Sequence, residues 1–353
     1  MQILTINPGS TSTKIALFKD HECIFKTTLR HPSEALKPFA SVYEQYPFRK
    51  EAILNTLHQH NVTLTDLDAV VGRGGMLKPI ASGTYEVNLA MLEDLKAAKR
   101  GEHASNLGAI IAHELALMAG VKAYIVDPVA VDEMDDIARV TGMVGIERQS
   151  LFHALNQKAV ARKAAQHLQK PYESLNLIIA HLGGGISVGA HHQGKVIDVN
   201  NALDGDGPMS PERSGGVPIG PLYHRAFSGE VTLSQMKKFN YGEGGLVAHL
   251  GTNDGAEIEK RIQEGDSKAR FIYEAMAYQI AKEIGSCATV LKGHVDAIVL
   301  TGGLAYDALL TSWIKERTDF ISPVIIFPGE DEMEALALGA LRVLNHEETV
   351  KEY

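Results

Sequence analysis

Three short apolar-rich runs open the chain, at residues 3–6, 14–18 and 23–29. They are separated by a Gly-containing turn and by the polar stretch Lys19-Asp20-His21-Glu22. Short apolar-rich runs bounded by turn residues read as strands, and three in succession make a β-meander. The same grammar returns near the middle, as residues 177–182, Gly183-Gly184-Gly185, residues 186–191, Gln193-Gly194 and residues 195–199. A pattern that recurs after about half the chain signals a structural duplication.

Between these groups the apolar residues take the period of helices. Leu107, Ile110, Ile111, Leu115 and Met118 share one helical face, and Gly120 follows as a C-terminal cap. A second helix is expected over residues 151–168. Residues 267–291, with Phe271, Ala275, Tyr278, Ile284 and Ala288, have the length of a helix that could cross between domains. The last strong helical pattern covers residues 331–344 and could return to the first domain. Strands alternating with helices predict α/β sheets covered by helices. The 353 residues exceed what one core usually organises, so two domains are expected, 1–150 and 151–330, with 331–353 as the returning helix.

Composition narrows the function. Hydrophobic residues at 45% and charged residues at 22% are the proportions of a globular protein. With 34 Lys plus Arg against 43 Asp plus Glu, the net charge of −9 opposes general attraction to nucleic acid or anionic lipid. An anionic substrate would have to be met by locally placed cations. Cys23 and Cys287 are too few for a disulfide framework or a thiolate zinc site, which suits a reducing compartment, the cytoplasm by default. No signal peptide pattern or apolar run of membrane-spanning length is visible.

The chemistry concentrates in the turns. Asn7-Pro8-Gly9-Ser10-Thr11-Ser12-Thr13-Lys14 sets an amide, several hydroxyls and a lysine between two strands, where an ordinary hairpin needs only two to five turn residues. Backbone N–H groups, hydroxyls and one positive charge at a single point are what phosphate oxygens require. Taken alone, the turn also fits a solvated Ser/Thr-rich hairpin. The second hairpin, Gly183-Gly184-Gly185, favours the phosphate reading, because glycine lets backbone approach a ligand closely. A third strand-to-glycine junction, residues 297–301 followed by Gly302-Gly303-Leu304-Ala305, could receive adenosine or be an ordinary strand-to-helix turn. Walker A and dinucleotide-binding glycine motifs are absent, and His113-Glu114 lacks the second histidine of a zinc-protease signature, with Leu117 in its place. Position along the strands puts His181, His191 and His192 on strand surfaces.

Taken in order, these motifs resemble the superfamily of acetate and sugar kinases, chaperone ATPases and actin. Within it the opening Ile-Asn-Pro-Gly-Ser-Thr-Ser-Thr-Lys resembles the butyrate kinase and branched-chain fatty acid kinase group of the acetokinase family. Acetate kinases are similar but typically read Asn-x-Gly-Ser-Ser-Ser there. The resemblance implies two similar lobes of the actin-like ATPase (ribonuclease H-like) fold with an active-site cleft between them. It implies ATP-dependent phosphorylation of a short-chain fatty acid, butyrate or a branched relative, with Mg²⁺ as cofactor and ATP/ADP as co-substrate. Relatives associate at least as dimers, so a homo-oligomer is expected.

Residue by residue, the resemblance implies that Asn7, Ser10, Ser12 and Lys14 form the first phosphate motif, and His181, Gly183, Gly184 and Gly185 the second. Gly302 and Gly303 match the adenosine turn. Arg73, in Val70-Val71-Gly72-Arg73-Gly74-Gly75, and Arg213, in Glu212-Arg213-Ser214-Gly215-Gly216, match two arginines that bind the substrate carboxylate and the transferred group. His153 matches a phosphoryl-contacting histidine, Asp127 an aspartate near the metal, and His103 a histidine beside the substrate pocket. The magnesium-linked glutamate is Glu332 or Glu334, the first preferred. Three departures from the acetate kinase pattern stand out. Gln157 replaces a second histidine, Gly184 replaces an asparagine, and Gly74-Gly75-Met76 follow Arg73 where bulkier valine is usual, which would make room for a longer acyl chain. The alternatives are an acetate or propionate kinase and, in another class, a nucleotide-dependent binding switch.

Overall fold

The computed structural model describes residues 1–353, which divide into two compact units. The first comprises Met1–Asp132 together with Asp331–Tyr353, and the second is Glu133–Glu330. The division falls at residue 132 and not near 150 because residues just beyond it are tied to the second unit. Glu133 accepts hydrogen bonds from Lys158 and from the Val196 N–H, and the Asp135 N–H donates to Ile197.

The first unit is built on a six-stranded sheet. Its strands are β1 (Gln2–Pro8), β2 (Ser12–Lys19), β3 (Glu22–Arg30), β4 (Ala69–Gly72), β5 (Thr84–Glu86) and β6 (Lys122–Val126), in the order β3-β2-β1-β4-β6-β5. The second unit holds β7 (Asn176–Leu182), β8 (Ile186–His192), β9 (Lys195–Val199), β10 (Ala297–Gly302) and β11 (Val324–Pro328), in the order β11-β10-β7-β8-β9. In each, an antiparallel meander continues into two parallel strands. The series β3-β2-β1-β4-β6 and β9-β8-β7-β10-β11 therefore agree in order and direction. The duplication is real, and β5 is an extra antiparallel edge strand in the first unit. All residues of β4 and β10 are buried, as parallel strands covered on both faces require.

Helices cover both sheets. Asn106–Ala119 buries Leu107, Ile110, Ile111 and Leu115 against the first sheet and ends at Gly120 in the left-handed conformation. Glu332–Leu344 packs on β1, β4 and β6, with Gly339 so close to Val126 that a side chain there would collide. Ala154–His167 covers β7 and β10 through Val160, Ala161 and Ala164. Ser267–Val290 lies wholly within the second unit and does not run between domains. Its buried face is Tyr273, Met276, Ile280 and Ile284, while Phe271 and Tyr278 are exposed. No helix is long and apolar enough to cross a membrane.

Candidate active site

In the first unit the candidate residues gather at the carboxyl ends of three adjacent parallel strands, β1, β4 and β6, the edge of an α/β sheet at which ligands bind. Asn7 is near the end of β1, Arg73 follows β4, and Asp127 follows β6. Arg73 continues the ladder through its N–H to the Ile6 carbonyl, 2.8 Å. Its guanidinium pairs with Glu332, and Asn7 Nδ2 donates to the other oxygen of that carboxylate at 2.5 Å. Glu332, not Glu334, is thus the glutamate joined to Asn7 and Arg73. Lys14 is the register partner of Asn7 across the hairpin.

The turn itself is held from behind by Arg49. This side chain is fully buried, and it donates to the carbonyls of Gly9, Ser10 and Ser12 at 2.8–3.0 Å, to Thr13 Oγ1, and to Gln45. No carboxylate neutralises it, and burial lowers its pKa. The hairpin therefore has an uncompensated positive charge behind it. Arg49 went unnoticed in the sequence, although it stands at the helical spacing of the buried Ile53 and Leu57 in Tyr46–Gln59. A cation on an apolar helical face was the available signal.

Asp127 is buried at φ 38°, and its Oδ1 accepts from Ser82 Oγ at 2.6 Å and the Gly83 N–H at 2.8 Å. The chain's end braces this pair, with Lys351 donating to the Ser82 carbonyl. His103 Nδ1 receives the Ser105 N–H, which can only donate, so the neutral ring carries its proton on Nε2. Burial, and then the charge of Arg73, lower the His103 pKa and favour that neutral form. At Gly74 and Gly75 the space that side chains would take is already filled. A side chain at Gly74 would meet Pro128 and Ile125, and one at Gly75 would meet Asn106. Both glycines serve close packing, which removes the structural argument for a larger acyl pocket at this point.

In the second unit the Gly183–Gly185 turn is enclosed by side chains. His181 is buried and not on an exposed strand face, because helix Ala154–His167 covers that side of the sheet; His191 is buried likewise, and only His192 is exposed. His181 meets Asn156 Oδ1 at 2.8 Å and Glu330 at 3.0 Å, and stacks on His153 at 3.8 Å between ring centres. His153 precedes the helix as its N-cap, so the expected helix over 151–168 begins at Ala154. Arg213 lies across Gly185, occupying the space that a side chain there would fill. It donates to the Ala202 carbonyl and stacks over Tyr241, but its Nε is buried without a partner. Burial lowers the Arg213 pKa, opposed by Tyr241 and Glu212. Ser210 Oγ and the Glu212 N–H fasten this irregular segment to the Gly184 carbonyl. Gly302, at φ 90°, lies against the Leu182 backbone, while the space beside Gly303 is open.

Each unit thus offers a glycine-containing hairpin and an arginine set beside it. A sequence model of the acetokinase family matches residues 137–316, and the chain belongs to that family. It is accordingly a carboxylate kinase, a phosphotransferase with ATP/ADP as co-substrate. Solved structures show the same fold across the whole chain. Acetate kinase from Porphyromonas gingivalis is 21% identical, covering 97% of this chain and 99% of its own, with a TM-score of 0.80. A propionate kinase from Francisella tularensis subsp. tularensis is 20% identical over 96% and 98%, at 0.74, and acetate kinase from Entamoeba histolytica 16% over 96% and 98%, at 0.75.

Proposed function

We propose that the chain transfers the terminal phosphoryl group of ATP to the carboxylate of a short fatty acid, with butyrate or a branched relative as the leading substrate. A carboxylate oxygen forms the new bond to phosphorus as the bridging P–O bond breaks, and its electron pair leaves with ADP. The carboxylate is already ionised at neutral pH, so no general base is required. The difficulty is bringing an anion to a polyanion and stabilising charge on three equatorial oxygens. Arg73 and Arg213 supply that compensation, and His153 donates to an equatorial oxygen. The observation that carries the reading is the Arg73–Glu332–Asn7 cluster beside the first hairpin, which holds a cation in place by a carboxylate and an amide.

Asn7, Asp127 and Glu332 are the oxygen-bearing side chains that would hold Mg²⁺, through water, since Glu332 already pairs with Arg73 and Asn7. Bound there, the ion would neutralise phosphate charge. Ser10, Ser12 and Lys14 with Gly183, Gly184 and Gly185 would hold the phosphates, and Gly302 and Gly303 would face the adenosine.

The wording of the first hairpin supports butyrate, whereas the filled space beside Gly74 and Gly75 supports acetate or propionate. Trapping the acyl phosphate with hydroxylamine across acetate, propionate, butyrate, isobutyrate and isovalerate separates the two. The preference should be graded, because each buried methylene contributes about 0.8 kcal/mol. Highest kcat/KM for acetate would select the second reading, and no hydroxamate from any acid would defeat both. We further propose cytoplasmic residence and self-association. Helices Ile219–Ala226 and Leu233–Asn240 bury no residue, and Ile219, Leu233 and the capping residue Phe227 are exposed, apolar surface suited to a second copy. A monomeric mass by light scattering would count against association.

A further inference from the structure

Gln157, one of the departures noted in the sequence, lies at the centre of a buried hydrogen-bonded chain. Its Nε2 donates to the Ser187 carbonyl at 3.1 Å and to Ser187 Oγ at 2.8 Å. A backbone carbonyl can only accept, so the amide nitrogen must face Ser187 and the amide oxygen must face His191. His191 Nε2, 2.9 Å from that oxygen, therefore carries a proton. The neutral ring then accepts at Nδ1 from the Tyr172 hydroxyl, 2.7 Å away. Burial, and then the charges of Lys158 and Arg162, hold His191 in this neutral form. Gly189 lets the pair lie flat on the strand, since a side chain there would strike Gln157 Oε1 and lie close to His191 Nε2.

The other end of the chain is His153. Ser187 is fully buried, and its hydroxyl oxygen already accepts from Gln157. The one acceptor in reach of its hydroxyl proton is His153 Nδ1, at 3.0 Å, and an undonated buried hydroxyl would cost free energy. His153 Nδ1 is thus an acceptor, and the proton of the neutral ring resides on Nε2. We propose that Gln157, Ser187, His191 and Tyr172 are positioning residues that hold His153 as the neutral Nε2–H tautomer, so that Nε2 offers a hydrogen bond to a phosphoryl oxygen. The last clause rests on the function proposed above; the tautomer does not.

The test is ¹⁵N–¹H correlation of the ring nitrogens in the full-length protein labelled at histidine, with His153 assigned by loss of its signals in His153→Gln. The expected result is a pyrrole-like Nε2 and a pyridine-like Nδ1 in the wild type, and averaged nitrogens in Ser187→Ala and Gln157→Glu. Both variants should lose about ten-fold in kcat, as expected for one hydrogen bond, with KM for ATP and acid little changed. A pyrrole-like Nδ1 in the wild type would overturn the proposal, as would a Ser187→Ala protein whose His153 signals do not move. If the tautomer is as stated but His153→Gln turns over normally, the phosphoryl contact fails while the positioning chain stands.

Discussion

Replacing Gly185 by alanine isolates the contribution of Arg213 with a single methyl group. Gly185 does not have positive φ, so alanine introduces no backbone strain, and the obstacle is the Arg213 guanidinium lying where the methyl would go. A guanidinium ends a flexible side chain and can retreat, so the folding cost should fall at the low end of the roughly 1–3 kcal/mol that overpacking costs. The catalytic cost should be large. A misplacement of about 1 Å is enough to lose roughly 10²-fold in rate, or about 2.7 kcal/mol of transition-state stabilisation. Complete loss of an arginine acting on a phosphoryl group costs about 10³ to 10⁵-fold. Gly184→Ala is the matched control, because a methyl there would come no closer than 3.6 Å to the Glu212 carboxylate. Hydroxylamine trapping with saturating ATP should show kcat reduced about 10² to 10³-fold in Gly185→Ala and near wild type in Gly184→Ala, with similar melting temperatures. Arg213→Ala should fall further, and adding Gly185→Ala to it should cost nothing more, since both act on one group. Gly185→Ala within about three-fold of wild type beside an inactive Arg213→Ala would show that the position of the Arg213 guanidinium over Gly185 does not govern turnover.

Three further outcomes follow from buried ionisable groups. Lys158 is fully buried and donates to Glu133 at 2.6 Å, so Lys158→Met should lose about 3–5 kcal/mol in urea unfolding by stranding a carboxylate. Adding Glu133→Gln should recover a good part of that, and strict additivity would argue against the pairing. Arg49→Met should weaken ADP binding by at least about ten-fold in calorimetric titration, through loss of the charge and of the carbonyl contacts behind the hairpin; unchanged affinity would remove Arg49 from the phosphate site. The depressed folded-state pKa of His191 means that the unfolded chain binds a proton the folded chain resists. The associated stability is present above the unfolded value of about 6.5 and is lost as pH falls towards the folded value, by up to about 1.4 kcal/mol per unit. Urea midpoints measured between pH 7 and pH 5 should decline less steeply in His191→Gln.

Local pattern alone carried the two meanders, their glycine turns and the duplication, because short apolar runs and turn chemistry are read over a few neighbouring residues. The order of those motifs sufficed for the family. Tertiary structure decided what depended on pairs far apart in the chain. Arg73 and Glu332 are 259 residues apart, and no pattern around either glutamate tells which of Glu332 and Glu334 meets the arginine; the packing of the last helix on β1 and β4 does. The same holds for Gly74 and Gly75, whose missing side chains looked like substrate space but are matched by Pro128 and Asn106. Position along the strands puts His181 and His191 on strand surfaces. It does not say that a helix covers one of the faces. Periodicity orders residues on an element, whereas only the packed fold supplies the surface that each face meets, and buried cations such as Arg49 and Lys158 acquire their meaning there.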